Sequence, residues 1–227
     1  MKRILLTLAA LAAANVANAE STTNYYTTLS AFNSAATTAT TYGFNGIAAG
    51  NSSVTNPAVL VTPQAGRVTF SVIGGTDQNV YAIGNNFAAG AYSLSDGSDT
   101  VAAGVPNGSQ STTTIALGGS YTAFAIEYGV TNNASENYTI NLMNGVFSVG
   151  STGIGTIGGD NFFGATSSVT FDSVSFQPNT ASTNYLVFDN ARVGSRGAAV
   201  VPEAGTLALL LPALGMVSAM IVRRRAH

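Results

Sequence analysis

Phe124-Ala125-Ile126-Glu127-Tyr128 sets large apolar residues at every second position, with a small or acidic residue between them. That period of two describes a half-buried strand, whereas a helix repeats its apolar positions every third or fourth residue. Outward from this stretch the same alternation recurs in Tyr138, Ile140 and Leu142, in Val68, Phe70 and Val72, and in Tyr185 and Val187. Turn-forming clusters separate these runs: Gly74-Gly75-Thr76-Asp77, Ser95-Asp96-Gly97-Ser98-Asp99, Pro106-Asn107-Gly108, Gly118-Gly119, Asn132-Asn133 and Gly158-Gly159-Asp160. Short strands at this spacing predict an all-β domain, an antiparallel β-sandwich or jelly roll.

Two parity details refine the expectation. Val169 and Phe171 alternate in one register and Val174 and Phe176 in the other, which calls for a bulge near Asp172-Ser173. Asp189 shares its parity with Tyr185 and Val187, so it either faces solvent or meets a cation or backbone donors. On a straight strand Arg192, three positions on, points to the opposite face. Leu29 and Phe32 allow one short helix within Thr28 to Ala36.

Charged residues make up 8% of the 227, against roughly 25% in an average soluble domain. From Glu20 to Val201 nine acids face three bases, Arg67, Arg192 and Arg196, a net of about -6. Such a surface repels phosphate backbones, which argues against nucleic acid as a partner. Cysteine is absent and the only histidine is His227, so the body of the chain has no Ser-His-Asp, Cys-His or histidine-zinc chemistry.

The two ends differ from this polar body. Lys2 and Arg3, the apolar stretch Ile4 to Ala14, and the small residues Ala17 and Ala19 before Glu20 read as a signal peptide over 1–19. Gly205 to Val222 is an uncharged run of eighteen residues, about 27 Å as a helix at ~1.5 Å per residue, and Arg223, Arg224 and Arg225 follow it. By the positive-inside rule the arginines stay cytoplasmic while the domain at 20–200 lies outside. Val201-Pro202-Glu203-Ala204 stands immediately before the run.

This arrangement over 201–227 resembles the PEP-CTERM sorting signal, in which a Pro-Glu-Pro motif, one hydrophobic helix and an arginine cluster are read by an exosortase. Here Ala204 replaces the second proline. Tyr42-Gly43-Phe44-Asn45-Gly46 and Gly66-Arg67-Val68-Thr69-Phe70-Ser71 resemble early strands of the ectodomain common in that family. Asn161-Phe162-Phe163-Gly164, Ser173-Val174-Ser175-Phe176 and Phe188-Asp189-Asn190-Ala191-Arg192-Val193-Gly194 resemble its closing strands. The resemblance implies a Gram-negative host, the exosortase and export machinery as partners, and transient inner-membrane anchoring through the helix. It also implies a β-sandwich, of a kind seldom assigned any activity, and a final place at the cell surface or in the exopolysaccharide matrix. With no histidine, cysteine or compact acidic motif in the body of the chain, a non-enzymatic protein is expected.

Two functions follow as expectations: a structural or cohesive matrix protein, and, as the alternative, a carbohydrate-binding module with exopolysaccharide as its partner. The candidate sites are few. Asp96 and Asp99 flank Gly97-Ser98 in an oxygen-rich loop of a kind that holds calcium, the one cofactor considered. Glu127 and Asp172 form a nominal carboxylate pair for glycoside hydrolysis, with nothing in the sequence to set their separation. Ser111-Thr112-Thr113-Thr114 reads as an exposed strand face. Asp77 and Asp160 read as turn residues, and the tyrosines at 25, 26, 81, 92, 121, 128, 138 and 185 as strand residues that could also stack on sugars.

Overall fold

The computed structural model describes residues 21–92, 94, 96–103, 110–131, 134, 136–157, 160–181 and 184–197. The signal segment with Ala17, Ala19 and Glu20, the motif Val201 to Ala204, the run 205–222 and the arginines 223–225 lie outside the described residues. No helix among the described residues is long and apolar enough to cross a membrane.

The alternating stretches become eleven strands: β1 (Thr23–Tyr26), β2 (Ala36–Tyr42), β3 (Ser53–Thr55), β4 (Thr69–Ile73), β5 (Val80–Ile83), β6 (Thr100–Ala103), β7 (Thr112–Val130), β8 (Glu136–Asn144), β9 (Phe147–Ile157), β10 (Asn161–Pro178) and β11 (Leu186–Arg196). Their pairings are antiparallel, in the order β3-β5-β6-β11-β7-β10-β8-β9, with β1 on β10, β2 on β11 and β4 on β7. Two short helices, α1 (Leu29–Ala35) and α2 (Ala58–Val61), lie between the early strands. The predicted helix is thus α1; its N-cap Thr28 accepts from the Ala31 N–H at 3.3 Å, and Phe32 is fully buried.

What makes this ladder a sandwich is the length of β7 and β10, nineteen and eighteen residues. Both bend where three consecutive residues are exposed, Gly118 to Ser120 and Ser168 to Thr170. Before its bend β7 pairs with β4 and with the second half of β10; after it, β7 pairs with β11 and the first half of β10. The rings of Phe163 and Phe176, both on β10, stand 5.9 Å apart. Thirteen residues of straight strand would separate them by about 43 Å at ~3.3 Å per residue, so β10 folds over and serves both layers.

The first layer comprises β1, the first half of β10, the second half of β7, β11 with β2, then β6, β5 and β3. The second comprises β4, the first half of β7, the second half of β10, β8 and β9. Between them lies the aromatic core, where Phe188 of the first layer meets Phe70 at 5.5 Å and Phe176 at 5.2 Å. Phe124, Ile126 and Tyr128 all point into it, as do Tyr138, Ile140 and Leu142.

The structure also corrects the sequence reading. Gly118-Gly119 bends one strand and does not separate two. The expected irregularity near Asp172 is present as register shifts on either side of Phe171, leaving Phe171, Val174 and Phe176 buried while Val169 is exposed. Phe44 reaches the core from a loop, since β2 ends at Tyr42. Thr113, expected on an exposed face, is fully buried opposite Phe176 and Val72.

Candidate functional site

Alternation gives the first layer an outer face as well as a core face. Its outer residues include Ala123, Ala125 and Glu127 on β7, Val187 and Asp189 on β11, and Tyr81 and Ile83 on β5. Toward the β1 side, Phe32 of α1 packs on Ala123 and Ala125, with Tyr26 and Phe162 around it. The small side chains of Ala123 and Ala125 leave room there for the Phe32 ring. Toward the β5 side, Leu94 packs with Ile83, Ala102 and Val187, and Tyr81, Phe87, Tyr92 and Tyr185 surround that group.

Between these two coverings opens a cleft of about 510 Å³ that runs from Glu127 and Phe162 on the outer face round to Tyr128, which packs in the core, and Ile154 of β9 in the second layer. Leu29 of α1 and Leu94 of the loop line its sides, Glu127 and Phe162 contribute from the strands, and Asp96 and Asp160 bring two more carboxylates. The cleft therefore combines apolar surface with three acidic groups.

A bulge in β11 organises the acids. Asp189 lies opposite Glu127 and Arg192 opposite Ala125, so three residues of β11 span what two of β7 span. Asn190 takes up the extra length with φ 50°, a left-handed conformation that asparagine tolerates. The bulge returns Arg192 to the same face as Asp189, correcting the straight-strand parity. Arg192 Nη2 donates to Glu127 Oε1 at 2.8 Å, and its Nη1 donates to the Asn190 carbonyl at 2.9 Å. Asn190 Nδ2 donates to Glu127 Oε2 at 2.9 Å and reaches Asp96 Oδ2 at 3.4 Å.

Asp189 does not face solvent; it is fully buried. Its carboxylate accepts from the N–H groups of Asn190 at 2.7 Å and Phe44 at 3.4 Å, and from the Ser98 hydroxyl. Burial pushes its carboxyl above the ordinary aspartate range, against the opposing pull of those donors. Burial also acts to raise Asp96, but the Ser98 N–H at 3.0 Å, the Ser98 hydroxyl, whose one proton is shared with Asp189, and the Asn190 amide at 3.4 Å prevail, and its carboxyl titrates below the usual value.

Asp99 is turned elsewhere. It is buried and accepts from the N–H groups of Gly46 at 2.7 Å and Asn85 at 2.9 Å, tying three loops together. Asp96 and Asp99 thus bind different donors. Among the described residues no three His, Cys, Asp or Glu side chains group as a metal site would require. Asp172 is also remote from Glu127: it sits at the β10 bend in the second layer, accepting from the Gly145 N–H at 2.9 Å.

Asp77 accepts from the Asn79 N–H, as its turn reading requires, and also from the hydroxyls of Tyr81 at 2.7 Å and Tyr185 at 3.0 Å. Burial acts first to raise it, and these donors outweigh burial and hold it below its ordinary value. The residues that sequence reasoning missed are Asn190, Ser98 and Leu94. Asn190 carried the one available signal, an Asp-Asn pair in the middle of an apolar strand.

Neither protein-family models nor curated proteins match the chain. Among solved structures it has a distant likeness to a family 29 carbohydrate-binding module from Piromyces equi, with TM-score 0.30 and 14% identity over 60% of this chain and 98% of the module. A Ruminococcus gnavus GH29 fucosidase gives TM-score 0.35 and 13% identity over 60% of this chain. The enzymatically active domain of bacteriophage CBA120 tailspike protein 4 gives 0.34 and 16% over 66%. The chain spans 26% of the fucosidase and 21% of the tailspike domain.

Proposed function

We propose that the sandwich is a non-catalytic glycan-binding module of an exported protein, and that the cleft beside Glu127, which reaches from the outer face of the first layer to Ile154 of β9, receives a polysaccharide chain. The observation that carries this reading is the juxtaposition of Asp96, Glu127 and Asp160 with Leu29, Leu94 and Phe162 in one cleft. Sugars present hydroxyl donors at their rims and C–H surface on their faces, so they are matched by fixed acceptors beside apolar side chains. Glu127 is such a fixed acceptor: both of its oxygens already receive donors, from Arg192 and Asn190. That occupancy supports binding over proton transfer. The PEP-CTERM-like tail supports delivery to the surface or matrix, where such binding supplies a structural and cohesive role.

The test is retention of the full chain on polysaccharide isolated from the host matrix, measured by affinity electrophoresis. Asp96→Ala and Asp160→Ala should each weaken retention about tenfold, the effect of losing one charge-assisted hydrogen bond, with the circular dichroism spectrum unchanged. Failure of the unaltered protein to bind any glycan sinks the reading. Release of new reducing ends that disappears with Glu127→Gln replaces it with a hydrolase.

A further inference from the structure

Among the described residues the two large apolar side chains most open to solvent are neighbours in sequence: Val146 is 84% exposed and Phe147 75%. They form the tip of the β8–β9 hairpin, a two-residue turn closed by the pair Asn144 and Phe147, with Gly145 at φ 57°. The tip is held firmly. Gly145 N donates to Asp172 Oδ2 at 2.9 Å, and Asn144 Nδ2 donates to the Thr170 carbonyl at 3.1 Å. Both bonds bring it against the bend of β10, where Val169 is 41% exposed. Three apolar side chains therefore crowd one end of the sandwich.

Both ends of the described segment emerge there too. Thr22 N donates to Ser168 Oγ at 2.9 Å, and Ser21 Oγ reaches the Val149 carbonyl at 3.4 Å, two residues from Phe147. Arg196 N donates to Thr122 Oγ1 at 2.8 Å, and its Nη1 reaches the Thr22 carbonyl at 3.5 Å. The chain thus leaves its last strand beside the β10 bend. The uncharged run at 205–222 begins after only eight more residues, Gly197 to Ala204, which reach at most about 28 Å when fully extended. A bilayer that accepts this run lies within that distance of the chain's exit.

We propose that Val146 and Phe147, with Val169 beside them, form a membrane-contacting tip that rests in the interfacial region of the bilayer while the tail is inserted. The partner is a neutral lipid interface, because the domain's net charge of about -6 disfavours an anionic one. Of the charged groups at this end, Asp172 and Arg196 bond to backbone groups, and the backbone of Arg67 lies against Gly118 in the bend of β7. An aromatic and a branched apolar side chain on a rigid turn are suited to that depth, where apolar surface is buried without spanning. This inference is separate from glycan binding and rests on reading 205–222 as a membrane span. Ile73 provides the contrast. It is 69% exposed but pairs with Thr112 at the start of β7, at the far end of that strand from its bend.

The chain contains no tryptophan, so one introduced indole reports its own surroundings. Full-length Phe147→Trp, Val146→Trp and Ile73→Trp proteins are reconstituted with phosphatidylcholine vesicles, floated on a density gradient, and quenched with brominated lipid. Quenching at positions 147 and 146 at least threefold stronger than at position 73, with blue-shifted emission, is expected. Equal quenching at the three positions in floated protein overturns the tip contact and leaves the tail reading standing. Protein that remains at the bottom of the gradient overturns both.

Discussion

Asp189 and Thr113 are two polar groups closed off from water in different ways, and each predicts a measurable effect. Burial favours the neutral carboxyl of Asp189, so in the window just above the ordinary aspartate pKa the folded protein holds a proton that the unfolded chain has released. Stability from this group is therefore fully present below the unfolded pKa and is lost as pH rises through the raised folded value. Urea midpoints from pH 3 to 7 should show the advantage of the native protein over Asp189→Asn shrinking across that window and then levelling off. A constant difference across the range would contradict the assignment. Thr113 is simpler. Its Oγ1 is buried with no hydrogen-bond partner, so Thr113→Val removes an unmet hydroxyl at nearly constant shape. A gain of about 1 kcal/mol, read as a higher urea midpoint with an unchanged slope, is the expected result.

At the scale of the element, the bends and the bulge convert a regular alternation into a site. Gly118 sits at φ 67° in the bend of β7, and a Cβ there would stand 2.6 Å from the backbone of Arg67. Gly118→Ala should cost more than about 1 kcal/mol, and Gly153→Ala, which meets open space on β9, should cost far less. Thermal melts of the two variants make the comparison. Phe124 to Tyr128 and Tyr138 to Leu142 were legible as strands because apolar parity is a local property, readable without knowing the partner strand. Asn190 was not legible. Parity assumes a straight strand, and the extra residue that realigns Asp189 with Arg192 is imposed by pairing with β7, more than sixty residues earlier in the sequence. The cleft escaped prediction for the same reason, since its walls come from α1, the loop carrying Leu94 and β9, segments distant in sequence that meet only in the folded sandwich.

At the scale of the molecule, one aromatic core serves both layers. Phe176 touches Tyr128 at 5.7 Å, Phe163 at 5.9 Å and Phe188 at 5.2 Å, all of them in the first layer. Phe176→Ala should destabilise the domain by about 3–5 kcal/mol, a large part of the 5–15 kcal/mol typical of a whole domain. Because β7 and β10 run through both layers, tyrosine fluorescence and far-ultraviolet circular dichroism should report a single shared transition in that variant. Two separated transitions would mean that the layers unfold independently.

The pairing of β1 with β10 sets Tyr25 against Ala165, and that of β2 with β11 sets Thr41 against Arg192. Strands formed early in synthesis therefore stay without partners until almost the whole domain has been made. Loops of that length close slowly, and refolding is expected on the millisecond-to-second scale of sandwiches dominated by distant contacts. On the proposed export route, with the chain threaded through a membrane from its N-terminus, the leading strands could not lock before the trailing ones emerge, and this order of events would keep the polypeptide extended during passage.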